Sequence, residues 1–254
     1  MPKIYSHSKL STFEQCQLKY KYRYIDKIIP EIEKTIESLL GSMVHETLEW
    51  LYTQVKNKTI PTIDETIIYY SVKWEENYIP EIVNIKKEQT ARDFFNKGIK
   101  FLIDYYLKYQ PFDENILELE KEISLNLDKE GEYKIRGFID KLNYNLETGE
   151  YEIHDYKTSN SLPTQEKIDN DRQLALYSIA IKDEFGNDKN VCLIWHYLAH
   201  NIKICLRKTE EQLEKLRKEI LELINKIELT KEFPGNKSIL CNWCEYKNMC
   251  EIGR

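Results

Sequence analysis

The spacing of hydrophobic residues along the chain changes from a helical period to an alternating one and back again. An apolar residue at every third or fourth position predicts helices in the N-terminal part. These helical stretches run from Ser8 to about Ile29, from near Ser38 onward, and over 62–110. Ser11 and Glu14 have the spacing of a capping box, which is typical of a helix start.

Alternation of apolar and polar residues predicts strands in the middle of the chain. The predicted strands are Ile116–Leu127, Gly131–Tyr144, Tyr151–Tyr156, Val191–Tyr197 and Ile202–Leu206. Helical periods also occur from Pro163 to Phe185 and from Thr209 to Glu232. Helices before, between and after the strands indicate an α/β or α+β fold with a helical lobe near the N-terminus.

Composition and charge exclude several classes of protein. With 254 residues, 41% hydrophobic and 31% charged, the chain is globular rather than disordered or collagen-like. No apolar run approaches the roughly 18 residues of a membrane helix, and Met1–Leu10 lacks the apolar segment of a signal peptide. We therefore expect a cytoplasmic protein without a membrane partner. The net charge of −6 argues against a basic protein that coats nucleic acid regardless of sequence.

Positive charge is nevertheless concentrated near the N-terminus. Within residues 1–29 basic residues outnumber acidic ones, and Tyr20, Tyr22 and Tyr24 alternate with the basic positions. One hypothesis is that these tyrosines stack on the bases of a single nucleic-acid strand while the basic residues guide its backbone. A solvated helix face with some core tyrosines explains the same pattern equally well.

Two aspartates and a lysine occupy neighbouring predicted strands, in the segments GFID, ending at Asp140, and DYK, beginning at Asp155. If Asn145–Glu150 form the hairpin loop, the register places Asp140 opposite Asp155, with Cβ atoms roughly 4.5–5.5 Å apart. Lys157, two residues further along, projects from the same face as Asp155. A one-residue change of register would turn these side chains to opposite faces.

Two facing carboxylates repel each other unless a proton or a cation lies between them. Mg²⁺ and Mn²⁺, which prefer oxygen ligands, suit this position. A neighbouring ammonium group can then orient a water molecule and offset negative charge on a phosphate under attack. For so short a pattern in isolation, a solvent-facing hairpin with an ordinary ion pair is the favoured interpretation.

Further motifs accompany this strand pair. In chain order they are Ser6-x-Ser8 followed by Phe13, Cys16, Tyr20 and Tyr24; Gly41-x-x-x-His45; Gly137-x-x-Asp140; Asp155-Tyr-Lys157-Thr; Gln173-x-x-x-Tyr177; and Cys241-x-x-Cys244 with Cys250. With them, the sequence resembles the PD-(D/E)xK nuclease superfamily, and within it the RecB-like exonuclease branch, over nearly the whole chain. It departs from many relatives in having Asp155 in place of glutamate, a change that keeps oxygen ligands for a metal.

The resemblance implies a metal-dependent active site. Asp140, Asp155 and the backbone carbonyl of Tyr156 would ligate Mg²⁺ or Mn²⁺, and His45 would complete the shell from the helical lobe. Lys157 would position the attacking water or stabilise the transition state. Without the resemblance, a lone histidine on a helix is usually a surface or capping residue.

Three more residues are candidates for the same site. Gln173 and Tyr177 lie four positions apart on a predicted helix and so share a face. The family assigns this pair to substrate or active-site positioning, whereas by spacing alone Tyr177 is more often a core residue. Glu120 is a candidate additional acid at the metal, but an exposed strand carboxylate is its favoured interpretation.

The cysteines fall into two groups. Cys192 and Cys205 lie in apolar strand-like segments, where buried and inert thiols are expected. A close cluster near the C-terminus favours metal binding over disulfides in the cytosol. This cluster is Cys241, Cys244 and Cys250. RecB-like relatives with an iron–sulfur staple take a fourth cysteine from the N-terminal helix, so the resemblance implies a 4Fe–4S cluster that includes Cys16. Zinc bound by four thiolates is the main rival.

The resemblance also implies a fold: an α/β, restriction-endonuclease-like core, that is, a central mixed β-sheet flanked by helices. An N-terminal helical lobe and a C-terminal iron–sulfur staple would be added to this core. Within a single domain, 1–254, we expect the lobe at 30–112, the catalytic sheet and helix at 113–208, and the cysteine-rich tail at 233–254 closing on the N-terminal helix.

The implied activity is that of a divalent-metal-dependent DNA exonuclease acting on single strands or DNA ends. CRISPR-associated exonucleases that trim DNA before spacer integration are the relatives most similar in size, and freestanding DNA-repair nucleases share the same motifs. Partners would then be CRISPR integrase proteins or a helicase. The alternative is a catalytically weak iron–sulfur or zinc DNA-binding module within a larger DNA-processing complex.

Overall fold

A mixed six-stranded sheet forms the centre of the computed structural model, which describes residues 2–30, 35–80, 82 and 88–252. The strands are β1 (Lys3–Tyr5), β2 (Ile116–Asn126), β3 (Tyr133–Asn145), β4 (Glu150–Lys157), β5 (Val191–Tyr197) and β6 (Ile202–Leu206). One edge of β3 pairs with β2, and its other edge pairs first with β1 and then with β4. The sheet continues from β4 to β5 and β6. The pairs β1–β3 and β4–β5 are parallel and the others antiparallel, so the expectation of a mixed sheet is confirmed.

The predicted strands are present with small changes at their ends, and β5 and β6 have the predicted bounds. The sequence did not predict β1, because a strand of three residues is too short for an alternating pattern to be recognised. β1 lies outside the range 113–208 expected for the sheet. Its parallel pairing places Tyr5 beside Ile135 of β3 and so brings the start of the chain next to the candidate site.

Helices cover both faces of the sheet. They are α1 (His7–Gln15), α2 (Gln17–Tyr20), α3 (Ile36–Lys56), α4 (Ile63–Asn77), α5 (Ala91–Tyr109), α6 (Gln165–Asp169), α7 (Gln173–Phe185) and α8 (Glu210–Leu229). A π-helical turn, Lys21–Ile25, follows α2. Helical structure was expected in each of these stretches, and several details differ from the prediction.

The first helix begins earlier than predicted. The side chain of Ser6 accepts a hydrogen bond from the N–H of Lys9, which caps α1 at its N-terminus. The capping box expected from Ser11 and Glu14 is wrong, since both residues lie inside α1 and the Ser11 hydroxyl contacts His7 instead.

Three long predicted helices are each divided in the structure. The stretch from Ser8 to about Ile29 contains α1, α2 and the π-helical turn that ends at Ile25, and extended backbone at Cys16 separates α1 from α2. The stretch 62–110 contains α4 and α5, because Thr90 and Asp93 form a capping box that starts a new helix. The stretch from Pro163 to Phe185 contains α6 and α7. Asp171 separates them by accepting hydrogen bonds from the first N–H groups of α7 through its side chain.

The sheet separates two hydrophobic cores. On one face, α1, α7 and α8 pack around strand residues such as Ile135, Ile153 and Leu193, which are fully buried. On the other face, α3, α4 and α5 form a helical lobe whose core includes Val44 and Tyr105. Burial of these apolar side chains is the main source of stability for both halves. Across the described ranges, no helix is long and apolar enough to cross a membrane.

Candidate active site

The hairpin of β3 and β4 has the register that places the two aspartates opposite each other. Paired positions run up to Lys141 and His154, so Asp140 and Asp155 occupy the next opposing positions. The connecting turn, 146–149, is shorter than expected, but it leaves the register unchanged.

The backbones of β3 and β4 separate at this point. Oδ2 of Asp140 accepts a hydrogen bond from the backbone N–H of Tyr156 at 2.9 Å. A side chain therefore replaces the backbone partner that the next rung of the ladder would supply. Asp155, on the other strand, is only 5% exposed, so its carboxylate is buried next to this opening.

Glu120 of β2 lies opposite Asp140, between the pairs formed by the residues on either side of it. Its φ of 44° is in the left-handed region, which residues other than glycine rarely adopt. Burial raises the pKa of Glu120 to about 7, and the negative charges of Asp140 and Glu49 add to this effect. Glu120 is half-buried and faces the site, so its interpretation as an exposed strand carboxylate is wrong.

His45 reaches the site from α3. Its Nε2 donates a hydrogen bond to the carbonyl oxygen of Tyr156 at 2.8 Å, and its Nδ1 lies 3.4 Å from Oδ2 of Asp140. Burial disfavours the charged imidazole, but the hydrogen bond and charge of Asp140 outweigh burial and raise the pKa of His45 to about 9. One helical turn before it, Gly41 lets α3 approach β4, since a Cβ there would lie 3.3 Å from Oγ1 of Thr158.

Asp155 and Lys157 form an ion pair. Nζ of Lys157 lies 2.7 Å from Oδ2 of Asp155. Burial raises the pKa of Asp155 to about 6, against the opposing effect of the Lys157 charge, and Asp140 raises it further. This buried Oδ2 has no partner with hydrogen-bond geometry. Lys157 compensates the charge of this carboxylate, and the oxygen keeps lone pairs that a cation can use.

Gln173 and Tyr177 share a face of α7 that covers the strand ends. Oε1 of Gln173 accepts a hydrogen bond from Nζ of Lys157 at 3.3 Å. Tyr177 is 5% exposed and packs over Gly137, where a Cβ would lie only 2.4 Å from the tyrosine hydroxyl. Tyr177 is thus a core residue as well as a neighbour of the site, and the glycine of the Gly137-x-x-Asp140 motif is required by packing.

A buried polar network behind the site was not predicted from the sequence. Nδ1 of His154 and Nε2 of His196 are 2.9 Å apart, and Nδ1 of His196 lies 3.1 Å from the hydroxyl of Tyr109. Lys141, which is fully buried, pairs with Glu114. Strand alternation would have placed an apolar residue at each of these buried strand positions, so the pattern contained no signal for the network.

The predicted metal ligands lie together and have suitable chemistry. One imidazole, two carboxylates and a backbone carbonyl are donors that Mn²⁺ and Mg²⁺ accept, and Oδ2 of Asp155 is paired with Lys157. Within the described part of the chain, no three His, Cys, Asp or Glu side chains are arranged so that they could hold one metal ion. In the present arrangement His45 lies between Asp140 and the Tyr156 carbonyl and contacts both. The chemical types of these donor atoms therefore suit Mg²⁺ or Mn²⁺.

The predicted cluster ligands line one cavity of about 50 Å³ between the N-terminal helices and the C-terminal tail. They are Cys16, Cys241, Cys244 and Cys250. The backbone N–H of Asn236 points to Sγ of Cys16 at 3.5 Å, and that of Ser238 to Sγ of Cys241 at 3.4 Å. Such N–H groups stabilise thiolates that bind a cluster. The N-terminal helices and the C-terminal tail thus meet at this cavity.

The other two cysteines differ from each other. Cys192 is buried, as predicted. Cys205 is exposed, so the expectation of a buried thiol is wrong at this position. A hydrogen bond with Cys192 lowers the pKa of Cys205 to about 6 despite partial burial, and Lys203 contributes in the same direction.

The N-terminal tyrosines are used mainly for packing. Tyr20 is 4% exposed and stacks on Phe233, and the ring of Tyr22 lies 5.5 Å from that of Tyr246. The basic residues Lys19 and Arg23 both lie near Glu245. The hypothesis that these tyrosines form a stacking platform for nucleic acid is therefore wrong for Tyr20, and core tyrosines on a helix face describe the segment better.

The fold and the site together define a class. It is an α/β protein with a restriction-endonuclease-like mixed sheet, in which two adjacent strands carry two carboxylates and an ammonium group. The family model of the PD-(D/E)XK nuclease superfamily matches residues 4–251, and the chain belongs to this superfamily. This membership supports a hydrolytic nuclease.

A solved structure shares the fold. The crystal structure of a protein named "Putative exonuclease", from Eubacterium rectale, superposes with a TM-score of 0.55 at 13% identity, covering 94% of this chain and 86% of that one. The structure of SSO0001 has 15% identity and a TM-score of 0.38, covering 76% of this chain and 98% of that one. No curated protein matches the sequence.

Proposed function

We propose that the protein is a divalent-metal-dependent DNA exonuclease of the RecB-like branch that hydrolyses phosphodiester bonds in single strands or at DNA ends. The observation that carries this proposal is the meeting of Asp140, Asp155, Lys157 and His45 where β3 and β4 diverge. Membership of the PD-(D/E)XK nuclease superfamily supports it independently.

His45, Asp140, Asp155 and the Tyr156 carbonyl would hold Mg²⁺ or Mn²⁺, which supplies Lewis acidity and lowers the pKa of a bound water. Lys157 keeps its proton, because the charge of Asp155 outweighs burial and raises the pKa of the ammonium group. This ammonium can donate to a phosphate oxygen as negative charge develops there.

Gln173 and Tyr177 act as positioning residues in this proposal. The side-chain oxygen of Gln173 holds Nζ of Lys157, which already interacts with Asp155. Tyr177 packs on Gly137 and so fixes α7 against the strand that carries Asp140. The two residues of α7 thereby set the distance between the ammonium group and the carboxylates.

A 4Fe–4S cluster bound by four cysteines is the second part of the proposal. The ligands would be Cys16, Cys241, Cys244 and Cys250. Their common cavity and the N–H groups directed at two of the sulfurs support it, and zinc is the rival occupant. The cluster would act as a structural staple that joins α1 and α2 to the C-terminal tail.

The biological role proposed is DNA processing in the cytoplasm, either in CRISPR adaptation, with integrase proteins as partners, or in DNA repair, with a helicase. The motifs and the fold are common to both roles. The genes that flank the coding sequence provide a direct test, because integrase genes would favour the first role.

The activity is tested with an end-labelled single-stranded oligonucleotide incubated with the protein and Mg²⁺, Mn²⁺ or EDTA. We expect degradation with either metal, none in EDTA, and a loss of at least about 100-fold in Asp155→Asn. Asp113→Asn is the matched control, since Asp113 is an exposed aspartate on the loop before β2. If wild type and Asp155→Asn bind the strand but degrade it equally slowly, the protein is instead a catalytically weak DNA-binding module.

A further inference from the structure

The edge of β3 is open beside the candidate active site. On this edge β3 pairs with β1 as far as Ile135 and with β4 only from Lys141 onward. Residues 136–140 therefore have neither strand as a neighbour on that side. The N-terminal turn of α1 lies across the gap, because β1 ends at Tyr5 and Ser6 caps the helix.

A groove of about 550 Å³ occupies this gap. Its walls are the start of α1, the open segment of β3 and the Gln173–Tyr177 face of α7. Because Gln173 also accepts a hydrogen bond from Lys157, the groove borders the candidate active site. A substrate chain bound at the carboxylates can leave the site along this path.

Phe138 is the most unusual residue of the groove. Its side chain is 51% exposed, although it lies inside β3, two residues before Asp140. Its neighbour Ile139 is 1% exposed, so Phe138 is on the face of β3 that no helix covers at this point. An aromatic ring exposed in this way is a surface on which a nucleobase can stack.

Phe138 also has a suitable distance from the carboxylates. Two residues of a strand span about 6.6 Å, so the backbone positions of Phe138 and Asp140 are separated by roughly one nucleotide. A base inside a duplex cannot reach the ring, because both of its faces are already stacked.

The charges of the groove favour an anionic occupant. Lys9 and Arg136 both line it. Nζ of Lys9 lies 4.1 Å from the centre of the Tyr5 ring, and Arg136 is exposed while it pairs with Glu122. Two cations and one exposed aromatic ring that line the same groove are the combination used by proteins that bind single-stranded nucleic acids.

We propose that this groove, bounded by Lys9, Arg136, Phe138 and Gln173, binds the single-stranded part of the DNA substrate, with the base next to the scissile phosphate stacked on Phe138. Lys9 and Arg136 hold the adjoining phosphates. The inference rests on the proposed function for the identity of its ligand, and it assigns a residue that selects single-stranded over duplex DNA.

The test measures binding in EDTA, where hydrolysis does not contribute. An oligonucleotide carrying 2-aminopurine near its end reports stacking as quenched fluorescence, and anisotropy reports affinity. We expect Phe138→Ala to weaken binding roughly tenfold and to abolish the quenching, while Phe138→Trp retains both. Ile202→Ala is the matched control, since Ile202 is a 41% exposed apolar strand residue on β6.

The cations are tested by the salt dependence of the same binding. Lys9→Ala and Arg136→Ala should each reduce the slope of log Kd against log salt concentration by about 0.7, the value for one phosphate contact with a single strand. Normal quenching and affinity in Phe138→Ala would overturn the proposal. So would a blunt duplex that competes as well as the single strand.

The two proposals fail in different ways. If wild type degrades DNA and Phe138→Ala has the same KM and the same quenching, the groove is wrong and the nuclease assignment stands. If wild type binds the strand through Phe138 but does not degrade it with either metal, the groove is supported and the nuclease assignment fails.

Discussion

The hydroxyl of Tyr177 lies 2.4 Å from the position that a Cβ at residue 137 would occupy, so the contact between Tyr177 and Gly137 requires glycine. Two ring atoms of the tyrosine are also within 2.7 Å of that position. Since Tyr177 belongs to the helix that carries Gln173, this packing contact connects the glycine of β3 with the lysine of the site.

Gly137→Ala should therefore displace α7 from β3. We expect a loss of about 1–3 kcal/mol in the free energy of unfolding, because an extra methyl group must enter a filled space. Nuclease activity should fall by up to about 100-fold through misplacement of the site. Urea unfolding and initial degradation rates measure the two effects. In a Tyr177→Leu background the same substitution should cost less, and equal costs in both backgrounds would contradict the packing argument.

His45 gives the metal-free protein a pH-dependent stability. Its pKa is raised from 6.5 to about 9, so its contribution is complete below pH 6.5 and is lost as the pH rises through about 9. In EDTA, the stability difference between wild type and His45→Ala should be constant up to about pH 6.5 and then shrink. Asp140→Asn removes the cause of the shift, and in that background the pH dependence of the difference should vanish.

Ionised Glu120 should destabilise the folded protein at neutral and higher pH, whereas protonated His45 stabilises it at lower pH. Its pKa is raised from 4.5 to about 7 by burial and by Asp140, so ionisation of Glu120 destabilises the folded protein as the pH rises from 4.5 to 7. Without metal, Glu120→Gln should be more stable than wild type at pH 8 by about 1 kcal/mol, a value reduced for solvent screening. The gain should disappear below pH 4.5. Urea titrations at both pH values test this, and a loss of stability at pH 8 would show that Glu120 has a stabilising partner.

The sequence was sufficient to place the two aspartates opposite each other. Register depends on local information, namely the alternation of side chains and the turn signals between β3 and β4, so a small error in the turn length did not change it. The positions of Gly41 and His45 depend on how α3 packs against the sheet. Sequence spacing does not reveal this packing, so the prediction that His45 reaches the site came from the family resemblance.

The remaining features depend on contacts between distant parts of the chain. The position of Glu120 results from an irregular φ inside a strand, which alternation does not reveal. The buried pair of His154 and His196 replaces apolar residues at core positions, and the exposure of Phe138 results from a face of β3 that no helix covers. Each of these becomes visible only when the strands are assembled.

Substitutions of Lys157 and Gln173 should distinguish a catalytic role from a positioning role. Lys157→Met should lower kcat by about 100-fold to 1,000-fold, the usual cost of losing a donor to the developing charge. Gln173→Leu should lower kcat roughly tenfold at unchanged KM, because the ammonium group loses the partner that orients it. Gln173→Glu keeps an acceptor oxygen and should retain more activity than Gln173→Leu. Gln165→Leu, on exposed α6, is the control, and a comparable loss in it would contradict a specific role for Gln173.

Cys16 should be needed for metal content although it lies far from the other three ligands in sequence. It shares their cavity, and the N–H of Asn236 from the tail points to its sulfur. Anaerobically purified wild type should contain iron and inorganic sulfide and absorb visible light. Cys16→Ser should lose the iron, the sulfide and the absorbance. Because the cluster would join the two ends of the chain, this variant should also unfold more than about 5 °C lower, which corresponds to about 2 kcal/mol. Cys205→Ser, which changes an exposed cysteine outside the cavity, should keep full iron content. A colourless wild-type protein with one zinc per chain would assign the four thiolates to zinc instead.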